Sequence, residues 1–348
     1  MSKINRLLGV LLLPLPIIYT AIIWLRNKLY DWGVKKNCPV SRPTISIGNI
    51  QLGGTGKTPL VAYTARLLQE LGEEPVVLSR GYGRRFSEPV VVDSREGKPY
   101  SHWEIGDEPL MLHLGNPELL LGIHANRCEM VKILEDSKLG SVYLLDDAFQ
   151  HRKIQRNLDI VLIDVSRWSR VPFLFPLSYL RDVKSSLQRA GAFVLTKGEQ
   201  VMEKQEKLAF WLKEKFQKPI YFAEFKPTLL VSLQRDKTLN LNALEGKKIA
   251  AFCGIANPGP FFESLRRLGA RLVWKHAFKD HHDYSEDDLK HLDRMAFEKG
   301  AFMLVTTEKD AVKIRSLNSA IKANIFFLKL EVSLSNEKGY KKLIQSVL

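Results

Sequence analysis

Short apolar runs alternate with amphipathic stretches along most of the chain. Runs such as YLL and IVLI contain no polar residue, which predicts parallel strands that are covered on both faces. We predict strands at Thr44–Gly48, Pro75–Ser79, Leu119–Ile123, Ser141–Asp146, Leu158–Asp164 and Ala192–Thr196, and helices at Thr58–Leu71 and Asn126–Glu135. This alternation is typical of an α/β fold with a mostly parallel sheet.

A second group of elements follows Phe225. Two apolar stretches around a polar turn predict a two-stranded hairpin linker over residues 226–242. Beyond it we predict Lys248–Cys253, Arg271–Ala277, Phe302–Thr306 and Asn324–Leu330 as strands and Pro260–Leu268 and Ser285–Lys299 as helices. The domains predicted from this pattern are residues 31–225, the linker 226–242, and a smaller α/β domain over residues 243–348.

The N-terminal segment has a different pattern. Leu7–Leu25 contains no charged residue and would reach about 28 Å as a helix, close to the thickness of a bilayer core. Pro14 and Pro16 interrupt it, so we expect a membrane-anchoring helix within residues 1–30 that either spans or half-inserts. The alternative is a buried helix that covers the core. If the segment spans, the basic residues after it place the body of the protein in the cytoplasm.

Composition narrows the class of protein. A composition of 45% hydrophobic and 26% charged residues excludes two classes, a disordered tail and a polytopic membrane protein. The formal net charge of +14 indicates an anionic partner, which nucleic acid, a phospholipid surface or a phosphorylated substrate would satisfy equally. The three cysteines, Cys38, Cys128 and Cys253, lack CxxC spacing, so we expect no disulfide framework and a reducing compartment.

A glycine-rich loop carries the strongest chemical signal. The sequence TISIGNIQLGGTGKTPL runs from a predicted strand through Gly53, Gly54, Thr55, Gly56, Lys57 and Thr58 into an amphipathic helix. Backbone N–H groups of such a loop surround phosphates, the lysine adds a positive charge, and the threonine hydroxyl can ligate Mg²⁺. The strict motif has a glycine where this chain has Gln51, so the match is to GGTGKT alone. We predict a nucleotide-binding site here.

A phosphate-binding loop also needs an acidic residue near the magnesium ion, at the end of a neighbouring strand. The run SVYLLDD supplies Asp146 and Asp147, and Asp164 at the end of LDIVLID is the competing residue. We favour Asp146 and Asp147 because polar residues follow them at a strand end, where ligands bind in open α/β sheets.

Motifs along nearly the whole chain resemble one family. They are SIGNIQLGGTGKTP, LSRGYGRR, GDEP, HANR, DDAFQHR, LDIVLID, FCGIANP, FKDHHDY and TTEKDAVK. In order and spacing they are similar to the tetraacyldisaccharide 4'-kinases (LpxK) of lipid A biosynthesis. The resemblance implies transfer of the ATP γ-phosphoryl group to the 4'-hydroxyl of an acylated glucosamine disaccharide 1-phosphate. It also implies an N-terminal membrane helix and two α/β domains, one with a phosphate-binding loop, joined by a two-stranded linker.

Catalytic residues can be assigned from the resemblance. Asp107 in GDEP matches the catalytic base of the family, although the residues alone favour a helix N-cap there. His281 in FKDHHDY matches the histidine of the dyad, with the adjacent His282 as an alternative, and Lys57 completes the catalytic set. A carboxylate and an imidazole in contact titrate as a coupled pair.

Binding residues are assigned more broadly. For the lipid substrate we predict Arg80, Tyr82, Arg127, Asp147, Gln150, His151 and Arg181; for magnesium we predict Thr58, Asp146, Asp147 and Asp182. The family motif at Arg181–Asp182 normally reads arginine–glutamate, which leaves the role of Asp182 open. Thr307 predicts a helix cap before Glu308 and Lys309, so these two residues are left out of the site.

The expected cofactors are ATP and Mg²⁺, and the expected partners are the acylated disaccharide lipid and membrane lipids. We expect a monomer on the cytoplasmic face of a Gram-negative inner membrane. A membrane-bound ATPase that switches a partner is the alternative, and the acceptor-base loop FKDHHDY argues against it. A nucleic-acid partner is not expected because Lys and Arg are dispersed without a recognisable nucleic-acid motif.

Overall fold

Strands formed by the apolar runs alternate with helices in the computed structural model, which describes residues 14–198, 201–234, 237–317, 322 and 324–348. The helices are α1 (Pro14–Asp31), α2 (Lys57–Glu70), α3 (His102–Ile105), α4 (Asp107–Gly115), α5 (Arg127–Asp136), α6 (Met202–Phe216), α7 (Gly259–Arg267), α8 (Glu286–Glu298), α9 (Glu308–Arg315) and α10 (Glu337–Gln345). The strands are β1 (Thr44–Asn49), β2 (Pro75–Ser79), β3 (Val90–Val92), β4 (Leu120–Ile123), β5 (Val142–Asp146), β6 (Leu158–Asp164), β7 (Ala192–Thr196), β8 (Ile220–Ser232), β9 (Thr238–Asn240), β10 (Lys248–Cys253), β11 (Arg271–Ala277), β12 (Met303–Thr307) and β13 (Ile325–Leu334). The predicted elements are all present, most with ends within one or two residues, which confirms the α/β class.

Two units divide the chain. Unit 1 contains the described residues up to Ser79, Asn126–Glu224 and Ser333–Leu348, and unit 2 contains Arg80–Ala125 and Phe225–Val332. The boundaries differ from the domains drawn from the sequence, since residues 80–125 group with the second unit and residues 333–348 with the first.

Unit 1 is built on a parallel sheet in the order β8–β7–β6–β1–β5–β2, to which β8 contributes its first residues. Ile47 of β1 lies opposite Asp146 of β5 and Ile160 of β6. The carboxyl ends of these neighbouring strands therefore meet at one edge of the sheet, which is where ligands bind in open α/β folds. The C-terminal helix α10 packs on the same unit, where the buried Tyr340 hydroxyl lies 2.8 Å from Thr64 Oγ1.

Helix α1 lies against unit 1 along one stripe. The protected side contains Pro16, Thr20, Ile23 and Asn27, spaced at helical intervals. The exposed apolar side chains are Ile17, Ile18, Tyr19, Ile22, Trp24 and Leu25. Across the described parts of the chain, no helix combines the length and the apolar character that a membrane crossing requires. The first part of the predicted anchor, residues 7–13, lies outside the described residues.

Unit 2 contains a parallel sheet in the order β11–β10–β12–β13. The later part of β8 pairs antiparallel with β9, with Val231 opposite Thr238, in the region predicted as the hairpin linker. Apolar clusters cover both faces of the parallel sheet, one around Ile249 and Leu265 and the other around Phe252 and Leu292. Continuous apolar strands are expected in a sheet that is buried on both faces.

The cysteine prediction was wrong for one pair. Cys38 and Cys128 form a disulfide within unit 1, whereas Cys253 is a buried free thiol. The two half-cystines are 90 residues apart, and both lie beside Lys153. Its carbonyl oxygen accepts from the Cys38 backbone N–H at 2.6 Å and lies 3.7 Å from Cys128 Sγ. The spacing of the cysteines along the sequence does not predict this tertiary contact.

Candidate active site

The glycine-rich loop joins β1 to α2 in unit 1. Gly53 and Gly56 have φ angles of +97° and +92°, a left-handed conformation that glycine adopts without a steric penalty. Asn49 Nδ2 donates to Thr55 Oγ1 at 2.8 Å, which ties the loop to the end of the strand. A Cβ atom on Gly54 would meet no atom within 4 Å, so the backbone there faces open space. Because α2 begins at Lys57, its positive end points at the loop, and this cradle fits a phosphate group.

Asp147 holds the two cations beside this cradle. Lys57 Nζ lies 3.8 Å from Asp147 Oδ1, and Arg181 binds both carboxylate oxygens, with Nη1 3.1 Å from Oδ2. Burial raises the pKa of Asp147, but the positive charges of Lys57 and Arg181 outweigh it and hold the pKa below its ordinary value. An ionised Asp147 therefore positions both cations at the loop.

Oxygen donors of the kind that magnesium binds lie at the same edge. Thr58 and Asp146 are 7% and 2% exposed, and Arg127 Nη2 donates to the Asp146 carbonyl oxygen at 2.7 Å. The described residues include no cluster of three or more His, Cys, Asp or Glu side chains that could hold a metal ion. A hydroxyl and one or two carboxylates suit Mg²⁺, which usually completes its shell with water and nucleotide phosphates. The residues present fit that ion in the presence of a nucleotide.

Asp164, the competing acidic residue, has a separate partner. Lys197 Nζ lies 2.8 Å from Asp164 Oδ2 and also donates to the Gly54 carbonyl oxygen at 2.5 Å. Ser166 Oγ donates to the other carboxylate oxygen at 2.5 Å. Asp164 thus supports the outer side of the glycine-rich loop through Lys197.

Asp182 is fully buried in a network of hydrogen bonds. Its Oδ1 accepts from Asn27 Nδ2 at 2.9 Å, Ser186 Oγ at 2.7 Å and its neighbour's backbone N–H, and its Oδ2 accepts from Gln150 Nε2 at 3.4 Å. Gln150 Nε2 also donates to the Asn49 carbonyl oxygen at 2.8 Å. These contacts attach α1 to the sheet, so Asp182 has the environment of a structural carboxylate.

The predicted substrate-binding residues fall into both units. Unit 1 contains Arg127, Asp147, Gln150, His151 and Arg181, and unit 2 contains Arg80 and Tyr82. Arg80 is exposed, and the ring of Tyr82, 66% exposed, lies 5.0 Å from that of His281. The predicted residues are therefore divided between the two units, and Tyr82 lies beside His281 of the dyad.

Asp107 and His281 meet in unit 2, although they are 174 residues apart in sequence. His281 Nδ1 lies 3.0 Å from Asp107 Oδ2. Asp107 is the first residue of α4, whose N-cap is Gly106, so its carboxylate faces the imidazole and does not cap the helix. His282 is turned elsewhere: its Nε2 contacts Asp288 at 3.2 Å and its ring stacks on Phe278. Of the two neighbouring histidines, His281 forms the pair.

Comparisons with known proteins point to one family. Residues 8–348 match the family model described as tetraacyldisaccharide-1-P 4'-kinase, LpxK. The chain belongs to this family. It is 34% identical to the tetraacyldisaccharide 4'-kinase of Syntrophus aciditrophicus, covering 95% of this chain and 90% of that one, and 36% identical to that of Desulfotalea psychrophila, covering 87% of each. The crystal structure of LpxK from Aquifex aeolicus in complex with ATP matches with a TM-score of 0.78 and 31% identity, over 98% of this chain and 99% of that chain.

Two lysines complete the dyad of this LpxK family member, and the sequence analysis did not place them in the site. Lys313 Nζ lies 3.5 Å from Asp107 Oδ2, and Lys309 Nζ lies 3.0 Å from His281 Nε2. Both come from α9, four residues apart and hence on one face of the helix. Thr307 does cap this helix, as predicted, with its side chain accepting from the Asp310 backbone N–H. The sequence did contain a signal for this pair, since the two lysines are four residues apart and follow directly after the predicted helix cap.

Lys313 is a buried cation with defined partners. It is 2% exposed, and its Nζ donates to the His282 carbonyl oxygen at 2.7 Å and lies 3.9 Å from Asp310 Oδ1. Burial alone would raise the pKa of Asp107. The hydrogen bond from His281 and the charge of Lys313 lower it by a larger amount, so the pKa lies below its ordinary value. Asp107 is therefore ionised at neutral pH.

Backbone geometry positions His281. Its φ is +59°, and its backbone N–H donates to the Gly254 carbonyl oxygen at 3.1 Å. Gly254 in turn donates its N–H to both oxygens of the buried Asp310. A Cβ atom on Gly254 would lie 3.1 to 3.2 Å from Asp310, His282 and Lys279, so only a glycine leaves this turn undistorted. Gly254 of the FCGIANP motif thus helps to position His281 of the dyad.

Proposed function

We propose that the chain transfers the γ-phosphoryl group of ATP to the 4'-hydroxyl of a tetraacylated glucosamine disaccharide 1-phosphate. The contact between Asp107 and His281 carries this proposal, because an acceptor hydroxyl needs a base whereas a nucleotide switch does not. Family membership and the names of the relatives supply the substrate class.

Unit 1 is assigned to the nucleotide. The N–H groups around Gly54 and the start of α2 bind phosphate oxygens, and Lys57 and Arg181 neutralise their charge. Thr58, Asp146 and Asp147 would hold Mg²⁺ together with the phosphates, and the bound ion would supply further charge neutralisation. In this role Lys57 exchanges its contact with Asp147 for a contact with phosphate.

Unit 2 is assigned to the acceptor. Asp107 accepts the proton of the 4'-hydroxyl at its carboxylate, and His281 and Lys313 hold that carboxylate in place. In a loose transition state the hydroxyl proton becomes acidic only as the new P–O bond forms, so a carboxylate with a low pKa is an adequate base.

Further groups are assigned to the lipid and to the membrane. Arg127, Gln150, His151 and Arg181 in unit 1 and Arg80 and Tyr82 in unit 2 would bind the disaccharide and its anomeric phosphate, for which guanidinium groups are suited. The exposed apolar face of α1 would half-insert into the cytoplasmic leaflet of a Gram-negative inner membrane, with the protein acting as a monomer. Asp182 is given the structural role that its contacts indicate.

A radiolabel transfer assay tests the proposal. Detergent-solubilised protein, Mg²⁺, γ-labelled ATP and tetraacyldisaccharide 1-phosphate are incubated together, and label is measured in the lipid. Lys57→Ala should lower lipid labelling about a thousandfold, because it removes a charge from the transferred phosphoryl group. Lys290→Ala, at an exposed position on α8, is the matched control and should leave transfer unchanged. Release of inorganic phosphate without lipid labelling would reject the proposal in favour of an ATPase switch.

A further inference from the structure

An uncharged segment of unit 1 has no role in the proposed chemistry. Between Arg170 and Arg181 the sequence reads VPFLFPLSYL. Four of its large side chains, Val171, Phe175, Leu177 and Tyr179, are 40%, 54%, 38% and 51% exposed. A group of large apolar side chains in water on one loop marks an interaction surface.

The segment is firmly attached to the protein. Its other leucines, Leu174 and Leu180, are buried in the core of unit 1, and the Phe175 backbone N–H donates to the Leu180 carbonyl oxygen at 2.9 Å. Ser178 Oγ closes the turn by donating to the Phe173 carbonyl oxygen at 2.7 Å. The exposed side chains are therefore presented by a fixed turn.

This turn contacts the protected side of α1. The Leu174 backbone N–H donates to Thr20 Oγ1 at 3.2 Å, and Ile23 packs on the same core cluster as Leu174. On the opposite side of the helix, Ile18 and Ile22 are 54% and 57% exposed. Residues 171–180 are therefore attached to the same helix that exposes these two isoleucines.

Cations and indoles lie beside the segment. A cleft of about 530 Å³ is lined by Trp168, Trp211, Arg170, Lys184, Lys204 and Lys207, with one carboxylate, Glu203, paired to Lys207. Lys184 Nζ lies 5.0 Å from the centre of the Trp168 ring. Lysines and tryptophans beside an apolar surface are suited to the anionic headgroup layer of a membrane.

We propose that residues 171–180 form a second membrane-contacting element, which docks beside α1 on a bilayer that contains anionic phospholipid. The cationic rim favours this occupant over a second copy of the chain, whose net charge of +14 would be repelled. The inference deepens the proposed function, because it rests on the membrane association assigned there to α1.

Vesicle co-sedimentation of the full chain tests this inference. The vesicles contain phosphatidylethanolamine with phosphatidylglycerol, or phosphatidylcholine alone. The double variant Phe175→Ser, Tyr179→Ser should bind the anionic vesicles about tenfold more weakly, since it removes two large apolar side chains from the contact. Phe297→Ser, Phe302→Ser in unit 2, at positions 85% and 64% exposed, is the matched control and should bind as the unchanged protein does. Equal binding by the Phe175→Ser, Tyr179→Ser variant would overturn the inference.

A fluorescent label gives a second measurement that does not depend on weakened binding. Leu177→Cys is labelled with an environment-sensitive dye, which is selective because Cys253 is buried and the other two cysteines are paired. A blue shift on anionic vesicles, absent for the same dye at Phe297→Cys, is expected. No shift at Leu177→Cys in the vesicle-bound protein would contradict membrane contact by the segment.

Activity in detergent separates this inference from the proposed function. The Phe175→Ser, Tyr179→Ser variant should phosphorylate detergent-dispersed lipid at the unchanged rate and KM. A raised KM would assign the segment to the acyl chains of the substrate, and a changed oligomeric state in analytical ultracentrifugation would assign it to a second copy; either would overturn the docking inference. Vesicle binding through the segment by a protein without transferase activity would reject the proposed function and still support the inference.

Discussion

The two reactive clusters are built in opposite ways. The phosphate-binding cluster of unit 1 uses backbone groups of six consecutive residues, Gly53 to Thr58, at the start of one helix. The cluster of unit 2 consists of the side chains of the dyad, Asp107 and His281, and of the neighbouring Lys309 and Lys313. These four residues come from three distant parts of the sequence. A continuous loop can be recognised from its residues, whereas a cluster assembled by tertiary structure cannot.

The clusters also differ in how their cations are exposed. In each, hydrogen bonds and positive charges together outweigh burial and keep the pKa of an aspartate low. The Lys57 side chain remains 14% exposed and Arg181 23%, so both can turn to a phosphate. The Lys313 side chain is 1% exposed and contacts protein groups on several sides. It therefore cannot turn towards a ligand and acts only on the carboxylate of Asp107. This difference fits the roles that we propose for the clusters, ligand binding for the first and support of a base for the second.

Among the substitutions that distinguish the two clusters, removal of the base should lower kcat the most. We expect Asp107→Asn to lower kcat by a factor of about 10² to 10⁴ while leaving ATP affinity nearly unchanged, because the residue acts on the acceptor hydroxyl. Single-turnover kinetics and calorimetric ATP titration measure the two quantities. Asp283→Asn is the control, since that carboxylate is 53% exposed and contacts His102 at 3.5 Å. Weakened ATP binding with normal turnover would place Asp107 in the nucleotide site.

The sequence predicted the strands of both units because they are short apolar runs, and the glycine-rich loop because its residue types are specific. It predicted His281 only through the resemblance to a family, since two adjacent histidines in a polar loop look alike until Asp288 engages one of them. Lys313 was missed for a related reason. A lysine on a short charged helix is usually exposed, and only the packing of α9 buries it beside Asp107.

Other differences have the same origin. The grouping of residues 333–348 with unit 1 rests on long-range contacts such as the hydrogen bond between Tyr340 and Thr64, 276 residues apart. The disulfide between Cys38 and Cys128 likewise joins segments far apart in sequence. Periodicity reports the local environment of each element, and it contains no information on which distant element supplies that environment.

An intermediate effect is expected from Lys313, which supports the base without contacting substrate. Lys313→Met removes the cation that lowers the pKa of Asp107, so this pKa rises and the ionised base is lost at a higher pH. The acid limb of the kcat/KM profile should move upward, with activity about tenfold lower at its acid end and a smaller loss near pH 8.

Two variants check this shift. Lys313→Arg retains the charge and should restore much of the original pH profile. Lys290→Met, at an exposed position, should not move the profile. The low pKa of Asp107 also stabilises the folded state at pH values above the unfolded pKa of an aspartate, and this contribution is lost as the pH falls through the folded pKa. A uniform loss of activity at every pH would show that Lys313 supports only the fold.

The smallest effect on catalysis is expected at Asp182, where the structural and metal-binding roles give opposite results. Asp182→Asn places an amide where the carboxylate accepts hydrogen bonds from Asn27 and Ser186, so we expect the free energy of unfolding to fall by roughly 1–3 kcal/mol. The Mg²⁺ concentration that gives half-maximal activity should not change, whereas Asp146→Asn should raise it. A raised magnesium requirement at full stability would instead make Asp182 a ligand. The expected result would mean that unit 1 separates its carboxylates by function, with Asp146 and Asp147 facing the ligand and Asp182 holding α1, the helix that we assign to the membrane.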